Sequence, residues 1–152
     1  MEEKSTRYHA LELSEESTSW KHLPSRDPKA HKIPISDVAY QSQKNASIIS
    51  LNSICKTDQN PEGQRNLQEL SRELLLGISQ ITFREEKEIT LSGISALQTT
   101  ITGHMDQERV TLRTIVLQKL ECVYDLMYIA RPETFDENEP DFSRFAKSLQ
   151  IQ

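Results

Sequence analysis

Leu91-Ser92-Gly93-Ile94-Ser95-Ala96-Leu97-Gln98-Thr99-Thr100-Ile101-Thr102-Gly103-His104-Met105 is the stretch whose reading decides the fold. It lies inside a longer segment, Pro61 to Ala130, that has no proline after its first residue and carries most of the chain's leucine and isoleucine. Leu91, Ile94, Leu97, Ile101 and Met105 step by three or four, the period of a helix face. The same spacing continues on both sides. Leu67, Leu70, Leu74, Ile78 and Ile81 come before it, and Leu112, Ile115 or Val116, Leu120, Val123 and Met127 come after. Asn60 can cap such a helix, Pro61 suits its first position and Glu62 suits the dipole there. Arg131 precedes Pro132 and is pushed out of helical geometry, which sets the stop. Fully helical, the segment would run about 105 Å at roughly 1.5 Å per residue.

Continuity is weakest at three glycines, Gly77, Gly93 and Gly103, each costing about 1 kcal/mol relative to alanine in a helix. The β-branched run Thr99-Thr100-Ile101-Thr102 stands just before the last of them. A second break falls at Gln80 to Phe83, where Thr82 can cap a new helix and Glu85 can complete a capping box. These breaks would divide the segment into helices over 60–80, 83–100 and 104–130, with kinks preferred to hairpins. A strict heptad counted from Leu91 lands on Gln98, Glu108 and Lys119, so a plain two-stranded coiled coil is weak in that register. From Leu112 onward the apolar arc widens through Leu117, Tyr124 and Tyr128, as on a helix buried by more than one neighbour.

Outward from this core, residues 1–59 read as a disordered polar tail. Pro24, Pro28 and Pro34 interrupt it, and its apolar residues are few and scattered. The exception is Ile48, Ile49, Leu51 and Ile54, read as a short helical lead-in packing on the main segment. Asn45-Ala46-Ser47 fits a glycosylation sequon by chance. Residues 60–131 are the helical, coiled-coil-like region, and 132–152 an acidic linker followed by a short amphipathic helix. In that helix Phe142, Phe145, Ala146 and Leu149 share one face, able to fold back on the chain or to fill a partner's groove.

The chain has 152 residues, 36% of them apolar, with four Phe, four Tyr and one Trp, and a net charge of −5. That balance supplies no basic face and argues against nucleic acid. No apolar run reaches the roughly 18–20 residues of a membrane span, and no signal peptide opens the sequence. The expectation is a soluble, intracellular protein, cytoplasmic or nuclear, with Cys55 and Cys122 as free thiols and Cys122 acting as a small apolar residue. No zinc-ligand spacing, HExxH, GxGxxG or P-loop occurs, so no metal, cofactor or small-molecule substrate is expected. Arg84-Glu85-Glu86-Lys87-Glu88 reads as a solvated helix face.

The fold class expected is all-α: a long, kinked helix or a helical bundle with a disordered N-terminal tail. The function expected is non-enzymatic interaction, as an adaptor or subunit working through an apolar helix face toward a protein partner or a second copy. The interaction residues expected are Leu112, Val116, Leu120, Val123, Met127, Phe142, Phe145 and Leu149. The alternative is a self-contained small helical-bundle binding module.

Overall fold

The computed structural model describes residues 8–16, 19–23, 37–55 and 66–151. Over these the chain is built on antiparallel sheet, and the all-α expectation is overturned. The elements run β1 (Tyr8–His9), α1 (Leu13–Glu16), β2 (Trp20–Leu23), β3 (Val38–Ser42), β4 (Ile48–Cys55), α2 (Leu67–Leu74), β5 (Ser79–Leu91), β6 (Ile94–Met105), β7 (Glu108–Lys119), β8 (Cys122–Ala130), α3 (Phe135–Lys147) and β9 (Gln150–Ile151). Seven strands form one sheet in the order β2-β3-β4-β8-β7-β6-β5, while β1 pairs with β9. Two meanders, β2-β3-β4 and β5-β6-β7-β8, therefore meet along the β4–β8 pair.

Tight turns, not kinks, punctuate the supposed long helix. Ser92 (φ 53°) and Gly93 (φ 76°) join β5 to β6, and Asp106 (φ 52°) and Gln107 (φ 73°) join β6 to β7. Positive φ at both central residues is the type I′ geometry whose twist matches a hairpin. Leu120 (φ 56°) opens the third turn, between β7 and β8. The crowding of β-branched residues at Thr99–Thr102 belongs to the middle of β6, where such side chains pack well on a pleated surface. The apolar breadth after Leu112 has a related cause: β7 and β8 are covered on both faces, so neither shows a polar side.

On the front face, α3 lays Phe142 and Phe145 against Tyr40, Ile49, Leu51, Ile115, Leu117, Tyr124, Leu126 and Tyr128. On the back face, the residue ending α2, Leu75, packs with Ile101 and Leu112. Asn66 caps α2 by accepting from the Gln68 amide at 2.7 Å, and Ser71 meets Thr99 at 2.9 Å. Gly103 makes the passage from α2 into β5 possible. A Cβ there would sit 2.7 Å from the Ser79 carbonyl and 2.7 Å from the Ile78 side chain. Its absence of a side chain reflects close backbone approach, not a helix weak point. The sheet register shifts between Ser79 and Phe83 at the same place.

Where it is described, the expected disordered tail contributes β1, α1, β2, β3 and β4. Tyr8 Oη donates to Asp37 at 3.0 Å, the Leu11 amide to Ser148 at 2.8 Å, and Trp20 Nε1 to Asp141 at 3.2 Å. The Ile48–Ile54 patch is strand β4, not a helical lead-in. Asn45, read as a chance sequon, donates to Asn138 at 2.8 Å and so fastens the β3–β4 turn to α3. The helix start expected at Asn60–Glu62 lies outside the described residues. The expectation of free thiols also fails: Cys55 and Cys122 face each other across β4 and β8 and form a disulfide, with Cα atoms 3.9 Å apart. No helix among the described residues is long and apolar enough to cross a membrane.

Candidate functional site

Strands β5, β6 and β7 extend beyond the edge of α3, which leaves part of the front face uncovered. Two cross-strand rows form its floor. Register aligns Phe83 with Thr102 and Thr111, and Glu85 with Thr100 and Arg113. Pro132, Phe135 and Asp136, at the start of α3, wall one side. The resulting groove has a volume of about 450 Å³ and is also lined by Thr82 and Arg109.

The α3 wall is held firmly. Tyr128 donates its hydroxyl to the Phe135 carbonyl at 2.6 Å, and its ring lies 4.6 Å from that of Phe135 and 5.5 Å from that of Phe142. Burial pushes the Tyr128 phenol above its ordinary range. Arg113 ties floor to wall. Its Nε donates to Thr100 at 2.9 Å, a terminal nitrogen donates to Glu139 at 2.9 Å, and the guanidinium sits 5.2 Å above the Phe135 ring. Its charge is thus neutralised inside the fold and its plane is spent on an aromatic face. Arg109 makes no ion pair among the described residues and is exposed at one end of the groove. Thr102 and Thr111 share a hydrogen bond of 2.9 Å.

The chemistry this lining offers is recognition. Phe83, 49% exposed, supplies apolar surface, Thr82 and the half-buried Thr102 supply hydroxyls, and Arg109 supplies a cation, while Phe135, 7% exposed between Tyr128 and Arg113, only backs the wall. The lining contains no histidine, cysteine or lysine. No group of three His, Cys, Asp or Glu that could hold a metal occurs among the described residues. A separate polar feature lies on the back face: Asp125, paired in register with Asn52. Burial pushes its carboxyl up to about 6, opposed by the Asn52 hydrogen bond and reinforced by the charge of Asp37.

The eight interaction residues expected from the sequence do not come together as one surface. Leu112, Val116, Val123 and Met127 point to the back face, and the first three of them are buried. Phe142, Phe145 and Leu149 lie in the front core with at most 1% exposure. Leu120 alone is exposed, at 66%, on the tip of a hairpin. The groove residues Arg109, Arg113 and Phe135 carried no sequence signal, because they meet only through strand register.

Neither a known family profile nor a curated protein matches the chain. Solved structures do share its fold. LpqN of Mycobacterium tuberculosis, described as involved in cell envelope biogenesis, aligns at a TM-score of 0.59 and 11% identity, over 90% of this chain and 80% of that one. The cyanobacterial PsbP of Synechocystis aligns at 0.54 and 10% identity, over 96% and 93%. A Pseudomonas aeruginosa protein of unknown function aligns at 0.50 and 15% identity, over 88% and 81%. These likenesses reinforce the β-rich architecture and concern the fold alone.

Proposed function

We propose that this chain is a non-enzymatic binding module that takes an extended segment of a protein partner in the groove between β5–β7 and the start of α3. The observation that carries the reading is the groove itself, where the exposed Phe83 ring and the cation of Arg109 flank a floor of threonines beside the fixed wall of Phe135. A hydroxyl-lined groove beside an exposed ring and next to an open strand edge suits a side chain of an extended peptide. The apolar helix face expected from the sequence has no part in it, since among the described residues that segment forms the short helix α2 and strands β5 to β8.

A photo-crosslinking amino acid placed at Thr102 in cells tests this, with mass spectrometry of the trapped peptides. A second copy of the protein carrying the crosslinker at Glu69, exposed on α2, serves as the control. The reading predicts peptides of another protein trapped at position 102 and not at 69. Equal trapping at both positions, or none at 102, would sink it.

A further inference from the structure

Among the described residues β5 pairs only with β6, so its other side is a sheet edge thirteen residues long. Ser79 to Glu88 are all exposed. Such an edge presents unpaired N–H and C=O groups and is a template for a further strand unless its side chains forbid it. Charges usually forbid it, and this edge is charged: Arg84, Glu85, Glu86, Lys87 and Glu88. Their order, however, is self-complementary about Glu86. Read outward from Glu86 in both directions, Glu85 answers Lys87, Arg84 answers Glu88, Phe83 answers Ile89, Thr82 answers Thr90 and Ile81 answers Leu91.

We infer that β5 pairs antiparallel with β5 of a second copy about a two-fold axis through Glu86. In that register each Arg84 faces Glu88 of the other copy on the back of the sheet, and each Lys87 faces Glu85 on the front. Phe83 packs on Ile89, which covers the outer edge of a ring that is 49% exposed. Opposite charges and apolar pairs placed directly across strands are the contacts that stabilise a sheet. Other registers fail. Sliding the copies by one or two residues either way sets Phe83 or Ile89 opposite a charged side chain. The charge pattern thus excludes foreign strands while admitting the chain's own in a single register. Only Glu86 meets its like on the axis, with Arg84 of its own strand 3.7 Å away to offset it.

The pairing puts both front faces on the same side of one continuous sheet. Each copy then supplies Lys87 and Ile89 beside the other's Phe83 and Glu85, closing the side of the groove that β5 leaves open. The inference does not depend on what the groove binds.

Sedimentation of the purified chain over a range of concentrations tests it, with Glu85→Lys, Lys87→Glu, the double variant and Glu86→Gln. The wild type should reach twice 17.5 kDa. Each single reversal turns two attractive pairs per dimer repulsive and should weaken association by about tenfold or more. The double variant restores the pairs and should restore the dimer, while Glu86→Gln should tighten it. Circular dichroism confirms that these exposed substitutions leave the fold intact. A wild type that stays monomeric at every concentration overturns the inference. So does a dimer indifferent to the single reversals, or one that the double variant fails to rescue. Cross-links at Thr102 to a different protein would persist in the monomeric Lys87→Glu variant, whose position lies outside the groove lining, which keeps the two proposals separable.

Discussion

Reducing the Cys55–Cys122 disulfide should lower the stability of this protein by about 4 kcal/mol. The bond closes a loop with a sequence separation of 67. A cross-link of that span removes about 15 cal/mol/K of chain entropy from the unfolded state, or roughly 4 kcal/mol at 25 °C. Against a usual domain stability of about 5–15 kcal/mol this is a large share. The bond also joins β4 to β8, the pair on which the two meanders meet, so nothing else in the chain ties that seam covalently. Comparing the oxidised and reduced wild type keeps the packing atoms the same, unlike substitution of Cys122, which is buried in the front core. Urea unfolding followed by circular dichroism gives the difference. At a slope of about 2 kcal/mol per molar, the reduced protein should unfold about 2 M earlier. Midpoints that coincide within error would show either that the thiols are unpaired in the folded protein or that the unfolded chain is already constrained. The entropic reasoning would then be refuted.

Other substitutions test separate parts of the fold. Gly103→Ala forces a Cβ against the Ser79 carbonyl and should destabilise by about 1–3 kcal/mol, read in the same urea experiment. Leu120→Gly relieves a positive φ at an exposed turn and should stabilise by about 1 kcal/mol; a lower midpoint would contradict the turn assignment. Asp125 carries a folded pKa of about 6, above its ordinary 3.8. Its contribution is therefore fully present below pH 4 and is lost as pH rises through 6. Since the residue is only half-buried, the loss is taken as about 1–3 kcal/mol. Asp125→Asn should raise stability at pH 7 but not at pH 4, and a pH-independent effect would refute the linkage. Arg113→Met leaves Glu139 without its partner and should loosen the groove wall, seen as faster amide exchange at Phe135 and Asp136 with little change in strands β2–β4.

The strands imitate a helix because of their spacing. The three hairpin turns begin at Ser92, Asp106 and Leu120, each fourteen residues after the last. Fourteen is two heptads as well as seven strand repeats, so Ile101, Ile115 and Ile129 recur at a helical interval although each sits on a different strand. Within β8 the alternation that marks a strand is present in burial: Cys122, Tyr124, Leu126, Tyr128 and Ala130 are all buried, whereas Asp125, Met127 and Ile129 are less so. It is muted in the residue types because the back face is also partly covered. The signals that could have separated the two readings were Ser92-Gly93 and Asp106-Gln107, turn dipeptides flanked by apolar runs. The amphipathic pattern Phe142, Phe145, Ala146 and Leu149 was legible because local spacing defines it: the first three lie on α3, which starts earlier, at Phe135. The groove was not legible. Phe83, Thr102 and Thr111 adjoin only once strand register is known, and no local pattern encodes register.

The order of the strands has a consequence for how the chain must fold. Neighbours in β2-β3-β4 and in β5-β6-β7-β8 are also neighbours in sequence, so each meander can zip by short-range hairpin closure. The β4–β8 pair is different, joining Ile48–Cys55 to Cys122–Ala130 across the whole second meander. That closure carries the largest entropic barrier and cannot begin on the ribosome until β8 has been made. Until then β4 is a bare, largely apolar edge, the segment of the nascent chain most in need of a chaperone.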